Sequence, residues 1–108
     1  MSNIGNSNES YFLQSLLGSS LSGQSAVWDK GRVIPNFDSS VWRWDCYGAV
    51  MKRSDYGNCT SKYGWEIDHI YPKEHGGSEA LSNKQPLQWE NNRKKGDRLP
   101  INLLGNLL

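Results

Sequence analysis

The stretch from residue 64 to residue 96 constrains the fold more than any other part of the chain. It contains, in order, a strand-type run at 64–70 that Pro72 ends, a turn-rich loop at 73–78, a return strand at 83–89 and a helix-forming segment at 90–95 before Gly96. The predicted order of elements is therefore strand, loop, strand, helix. A chain of 108 residues has room for one such domain around one core.

The upstream part of the chain adds strands to this unit. Residues 41–45 alternate tryptophan with polar side chains, which predicts a strand with one buried face, and we interpret Arg43 and Asp45 as its polar face. A turn at Tyr47-Gly48 then leads to a second strand at 49–51. The predicted fold class is α+β, with an N-terminal hairpin or strand region beside the strand–loop–strand–helix unit. Most tryptophans and tyrosines are expected in the core rather than on a base-stacking surface.

Residues 1–25 differ from the rest, because they are rich in serine, glycine and asparagine and carry Glu9 as their single charge. This composition predicts a flexible tail or linker, within which Ser10 could cap a short amphipathic turn that stops near Gly18. The folded domain is predicted to span residues 26–108.

The charge pattern excludes a globally basic nucleic-acid binder, since the net charge is only +1. From Lys84 to Arg98, however, basic residues outnumber acidic ones, and this excess could attract a phosphate backbone or simply form a solvated helix face. Cys46 and Cys59 form no CxxC pair, which excludes a four-cysteine zinc site and leaves a disulfide open. No stretch reaches the ~18 apolar residues of a membrane span, so we expect a cytoplasmic protein or one delivered into a target cell.

Asp68 and His69 combine two chemistries at the end of the predicted strand at 64–70. A carboxylate is a hard oxygen ligand that suits Mg²⁺ or Mn²⁺, and a neutral imidazole can take a proton from water. Neighbours in an ideal strand point to opposite faces, so the two can share a site only where the strand ends. Taken alone, the pair is weak evidence, because many polar pairs at strand ends are simply solvated.

The surrounding residues make the pattern far more specific. Gly64 to Pro72, Gly76-Gly77, Asn83, Gln85-Pro86-Leu87 and Asn91 to Asp97 together resemble the signature of the HNH, or ββα-metal, endonuclease family. The resemblance covers about a third of the chain strongly and extends more loosely upstream. It implies a ββα-metal core and a metal-dependent nuclease.

The resemblance also implies roles for single residues. Asp68 falls on the first metal-ligand position, His69 on the general base, Asn83 on the asparagine that braces the loop, and Asn92 on the second metal-ligand position. Asn91 is the adjacent rival for that ligand position. The chain thus has the letters His-Asn-Asn instead of His-Asn-His, and oxygen ligands favour Mg²⁺ or Mn²⁺ over Zn²⁺.

The basic residues near the helix complete the predicted site. Lys95 matches the closing lysine of the family signature and would meet a phosphate or interact with the helix C-terminus. Arg93, Lys94 and Lys84 are predicted to contact the nucleic-acid backbone. His75 is expected to be exposed and without a catalytic role.

The resemblance implies DNA as substrate, with RNA not excluded, cleaved by water that His69 deprotonates beside one divalent ion. Two alternatives remain open at this stage. One is a catalytically silent DNA-binding module on the same scaffold. The other is the nuclease domain of a larger toxin or effector, with an immunity or targeting protein as partner.

Overall fold

A computed structural model describes residues 23–100, and it has the predicted α+β architecture. Residues 23–28 are helical. The strands are β1 (Arg32–Val33), β2 (Trp42–Trp44), β3 (Val50–Lys52), β4 (Trp65–His69) and β5 (Lys84–Gln88), and helix α1 (Trp89–Lys95) follows β5 directly. The predicted order of strand, loop, strand and helix after residue 64 is confirmed.

The strands form two antiparallel sheets. The first has the order β1-β2-β3, and the second pairs β4 with β5 in a register that sets Asp68 opposite Gln85 and His69 opposite Lys84. Between β4 and β5 the chain makes two short 3-10 turns, at Lys73–His75 and Leu81–Asn83. The loop therefore begins at the end of β4 that carries Asp68 and His69.

The core lies where the helical segment 23–28 meets both sheets. Val27, Trp28, Met51 and Trp65 form one buried cluster, with Ile67 packed against it. The Trp28 and Trp65 rings lie with centroids 5.2 Å apart, and each indole N–H donates to a backbone carbonyl, of Ser39 and Arg53 respectively. Burying large rings with satisfied N–H groups gives this short polar chain a stable centre.

The predicted faces of β2 are reversed in the structure. Arg43 and Asp45, interpreted from the sequence as an exposed polar face, point inward: Asp45 is fully buried, and Arg43 donates to the carbonyls of Asp29, Gly31 and Ser39. Trp42 and Trp44 lie on the outer face. Buried backbone carbonyls and amides need polar partners, and these two side chains supply them.

Two predictions concern the chain ends. The amphipathic turn from Ser10 to Gly18 lies outside the described residues, as do most of the predicted tail and residues 101–108. The helical segment 23–28 runs across the predicted boundary at residue 25, and the Ser25 hydroxyl accepts a hydrogen bond from Arg53. Within residues 23–100, no helix has the length and apolar character needed to cross a membrane.

Candidate active site

An open pocket of about 190 Å³ lies at the end of β4, beside α1. Three of the predicted site residues, Asp68, His69 and Asn92, line it together. Asp68 and His69 reach the same pocket because β4 ends there and the following loop folds back over the strand. Asn92 comes from α1, which packs against both β4 and β5. The remaining lining residues are Ile67, Pro72, Lys73, Glu74 and Gly96.

Asp68 is almost fully buried, and both of its carboxylate oxygens are held. The Lys95 amine donates to Oδ1 at 3.1 Å and the Gln85 amide donates to Oδ2 at 3.0 Å. Lys95 is equally buried and also donates to the His69 carbonyl at 3.0 Å. A buried carboxylate needs such donors, so Lys95 supplies a counter-charge to Asp68 and fixes the end of β4.

The His69 ring is held by the carboxylate of Glu79, which lies ten residues later in the chain. Its Nε2 lies 3.1 Å from Glu79 Oε2, and Glu79 also pairs with Lys73 at 3.2 Å and Lys84 at 3.4 Å. The His69 hydrogen bond and then the Lys73 ammonium lower the pKa of Glu79 to about 2. An ionised carboxylate can only accept, so Nε2 carries the hydrogen and Nδ1 is the basic nitrogen of the neutral ring.

Asn83 ties the two ends of the loop together. Its Oδ1 accepts from the Tyr71 N–H at 2.8 Å, and its Nδ2 donates to the carbonyls of Tyr71 at 3.0 Å and Ser78 at 2.8 Å. The Asn83 carbonyl accepts from the Ile70 N–H as well. These contacts hold the chain just after His69 and on both sides of Glu79, so Asn83 links the start of the loop to its end.

Asn92 and its neighbour Asn91 point to different places. Asn92 donates from Nδ2 to Glu66 at 2.8 Å, which leaves Oδ1 as the free end of the amide, whereas Asn91 donates to Asp45 at 2.9 Å. Burial raises the pKa of Glu66, but hydrogen bonds from Arg93 and Asn92 outweigh it and hold the pKa below its ordinary value. Of the two asparagines, only Asn92 lines the pocket with Asp68.

The predicted basic residues divide into engaged and free side chains. Arg93 is paired with Glu66 and also donates to the Cys59 thiol, and Lys84 is paired with Glu79. Lys95, for which the sequence left phosphate contact or the helix C-terminus open, is turned inward onto Asp68. Lys94 is exposed and, within the described part of the chain, forms no ion pair. Cys46 and Cys59 are both exposed free thiols.

Three contributors to the site were missed from the sequence. Gln85 and Glu66 carried a usable signal: Gln85 faces Asp68 once the two strands are paired, and Glu66 precedes Asp68 by the two positions that share a strand face. Glu79 carried no such signal in the sequence, because its contact with His69 depends on the path of the loop. The expectation that His75 is exposed is confirmed.

The donor set at the pocket fits a hard divalent cation. Each Asp68 oxygen accepts one hydrogen bond and retains a further lone pair, and Asn92 Oδ1 is turned away from Glu66. Two protein oxygens suit Mg²⁺, which is commonly held by one or two side chains with waters and substrate phosphate completing its shell. Within residues 23–100 no three His, Cys, Asp or Glu side chains lie together in a group that could hold a metal ion, so a ligand set at this pocket would combine Asp68 with the Asn92 amide oxygen.

A two-stranded hairpin that leads into a helix, with an Asp-His pair and a helical Asn around one pocket, defines a ββα architecture. Residues 58–101, somewhat less than half of the chain, match the family model described as HNH endonuclease. No curated protein and no solved structure matches the chain significantly. The family match indicates a nuclease or DNA-binding function.

Proposed function

We propose that this protein is a metal-dependent endonuclease that hydrolyses DNA phosphodiester bonds. The observation that carries the proposal is the convergence of Asp68, His69 and Asn92 on one pocket from two different elements. The preference for DNA over RNA rests on the similarity to HNH endonucleases, because phosphate contacts alone do not distinguish the two sugars. An immunity or targeting protein as partner stays a prediction from the sequence.

In the proposed reaction His69 is the general base. Its Nδ1 takes a proton from the water that attacks phosphorus, and the ring becomes an imidazolium whose Nε2–H faces the ionised Glu79 carboxylate. Glu79 therefore orients the ring and stabilises the charge that it gains. Asn83 holds the loop so that the ring and Glu79 keep their relative positions.

Asp68 and Asn92 supply the ligand oxygens on the other side of the pocket. A Mg²⁺ or Mn²⁺ ion bound there would stabilise the negative charge that develops on the phosphate and on the leaving 3′ oxygen. Lys95 acts through Asp68, whose carboxylate it holds in a fixed orientation, and so it is a positioning residue. The exposed Lys94 is available to the phosphate backbone.

Cleavage of supercoiled plasmid and of single-stranded DNA, with Mg²⁺, Mn²⁺ or EDTA, tests the proposal. We expect cleavage with either metal and none with EDTA. His69→Ala should reduce the rate by about 10²-fold or more, because general-base catalysis contributes that much. His75→Ala, which changes the other histidine of the chain, should keep the wild-type rate. Full activity of a folded His69→Ala protein would remove the assignment.

Substitution of Asp68 needs a variant that spares the fold. Asp68→Ala would remove the counter-charge and one of the two hydrogen-bond acceptors of the buried Lys95 ammonium, and breaking a buried ion pair in this way destabilises a protein by roughly 3–5 kcal/mol. Asp68→Asn keeps an oxygen for Lys95 and removes the charge from the ligand position. We expect this variant to fold and to lose cleavage. DNA binding by a wild-type protein that never cleaves would instead indicate a silent DNA-binding module.

A further inference from the structure

The outer face of the three-stranded sheet carries aromatic and basic side chains in alternation. The register sets Arg32 opposite Trp44 and Trp42 opposite Lys52, and residues directly opposite each other in an antiparallel pair share one face of the sheet. Trp42 and Trp44 are two positions apart, so all four side chains lie on the same side. Tyr63 packs edge-on against Trp42 with ring centroids 5.2 Å apart and extends this face beyond the strands.

Each ring of this face has a cation over it. The Arg32 guanidinium lies 5.5 Å from the Trp44 ring centroid, the Lys52 amine 5.7 Å from that of Trp42, and the Lys62 amine 5.2 Å from that of Tyr63. Trp42, Trp44 and Tyr63 are only half-buried, unlike Trp28 and Trp65 in the core. We call these six residues the aromatic–basic face.

The charges of the aromatic–basic face are not neutralised within residues 23–100, where Arg32, Lys52 and Lys62 form no ion pair. The basic residue of the inner face behaves differently, since Arg43 is bound to backbone carbonyls and pairs weakly with Asp29. The outer face therefore presents uncompensated positive charge next to exposed ring surface.

A groove of about 400 Å³ continues this face toward α1. Lys62 and Tyr63 line one side of it, and Lys94 and Glu90 of the helix line the other. The face and the groove together carry four cations and one carboxylate, since Lys94 adds to the three cations of the face and Glu90 is the acidic residue of the groove. The positive charge is thus spread over an extended surface rather than gathered at one point, which suits a polyanion.

We infer that the aromatic–basic face binds a single-stranded segment of nucleic acid. The inference rests on the proposed function, because it extends the substrate contacts of the nuclease beyond its pocket. Bases stack on half-exposed aromatic rings and phosphates pair with the basic groups between them, the combination used by proteins that bind single strands. A duplex keeps its base faces inside the stack, so the rings favour an unpaired strand.

Binding of a fluorescent 12-nucleotide oligothymidine in EDTA tests the inference without any cleavage. Trp44→Leu should weaken binding about fivefold or more, the loss expected when one stacking contact is removed. The double variant Lys52→Gln/Lys62→Gln keeps every ring. Its affinity should fall less steeply with salt, because the negative slope of log affinity against log salt should shrink in magnitude by about 0.7 for each lost phosphate contact. Arg98→Gln removes an exposed charge outside the face and should bind within about twofold of wild type. Thermal unfolding first establishes that each variant is folded.

The outcomes separate this inference from the proposed function. Oligothymidine affinity that is absent in the wild type, or unchanged in both face variants, would overturn the inference even if the plasmid is cut in Mg²⁺. Equal loss of affinity in Arg98→Gln would overturn it as well, because the effect would then be one of net charge. Binding that depends on the face, in a protein that cuts nothing, would contradict the proposed activity and leave the inference supported.

Discussion

One fully buried carboxylate, Asp45, joins three parts of the molecule. Its Oδ1 accepts from the N–H groups of Tyr47 and Ala49 at 2.9 Å, which closes the turn between β2 and β3. Its Oδ2 accepts from the Gln88 N–H at 3.0 Å and from the Asn91 side chain at 2.9 Å, at the start of α1. A buried charge is stable when several donors surround it, and here the donors come from both sheets and the helix.

Asp45→Ala should therefore destabilise the protein strongly. The substitution removes the acceptor of the buried Gln88 N–H and of the other groups that donate to Asp45. We therefore expect a loss of about 3 kcal/mol or more in the free energy of unfolding. Asp29→Ala is the matched control, because that carboxylate is mostly exposed and its ion pair with Arg43 is 3.9 Å long, so the substitution should cost no more than about 0.5 kcal/mol. Urea unfolding measures both. Similar losses would contradict the role of Asp45.

Glu79 should make stability depend on pH in acid. Its pKa is about 2 in the folded protein, against an ordinary value of 4.5, because His69 and Lys73 hold the charged form. The unfolded chain takes up the proton first, so this contribution is present above pH 4.5 and is lost as the pH falls toward 2. Glu79→Gln should flatten the pH dependence of the unfolding free energy in this window. Glu74→Gln, in the same loop, controls for the loss of one carboxylate, and equal slopes in wild type and Glu79→Gln would contradict the prediction.

At the scale of single residues, the sequence predicted which side chains meet in one pocket better than it predicted which side chains are buried. Asp68, His69 and Asn92 come from a motif whose spacing is tied to one geometry, and the structure brings them to one pocket. The faces of β2 were predicted wrongly because alternation shows that two faces differ without showing which one is buried. The inward role of Arg43 depends on carbonyls brought near by tertiary contacts, which no local pattern encodes.

The elements after residue 64 follow from local signals. Pro72 and the glycines mark the loop, the β4 and β5 ends were predicted within one or two residues, and Gly96 ends α1 with a positive φ of 55°. The N-cap of α1 is less ordinary, because the Gln88 side chain accepts from the N–H groups of Glu90 and Asn91. Glutamine is not a usual N-cap residue, so this cap could not be predicted from the residue pattern.

The adjacent glycines of the loop are required for different reasons, and their variants should differ. Gly76 has a φ of 88° with open space around it, so Gly76→Ala should cost about 1–2 kcal/mol of left-handed strain. A Cβ on Gly77 would lie 1.7 Å from the Tyr71 carbonyl oxygen, which Asn83 also contacts, so Gly77→Ala must move backbone and should cost more. Unfolding free energies of the two variants decide the order. An equal or smaller loss for Gly77→Ala would mean that the loop adapts readily.

At the scale of the whole molecule, the two sheets meet through side chains distant in sequence. Trp28 packs on Trp65, and the Lys52 N–H donates to the Tyr63 carbonyl where β3 runs past the start of β4. The sequence predicted both sheet regions as separate pieces. How the two sheets pack against each other could not be predicted from the sequence, since it depends on which aromatic rings fill one small core.

Folding and cleavage should respond differently to removal of divalent ions. The tryptophan core, the Asp45 contacts and the Asp68–Lys95 pair connect all elements through protein groups alone, so EDTA should abolish plasmid cleavage and leave the melting temperature nearly unchanged. Mg²⁺ added at ten times its dissociation constant should raise the free energy of unfolding by about 1.4 kcal/mol, because the ion binds the folded state and not the unfolded chain. Asp68→Asn should lose this increment, while His69→Ala should keep it because it alters the base and spares both ligand oxygens. Unfolding in EDTA would instead show that the ion has a structural role, and an undiminished Mg²⁺ increment in Asp68→Asn would place the ion elsewhere.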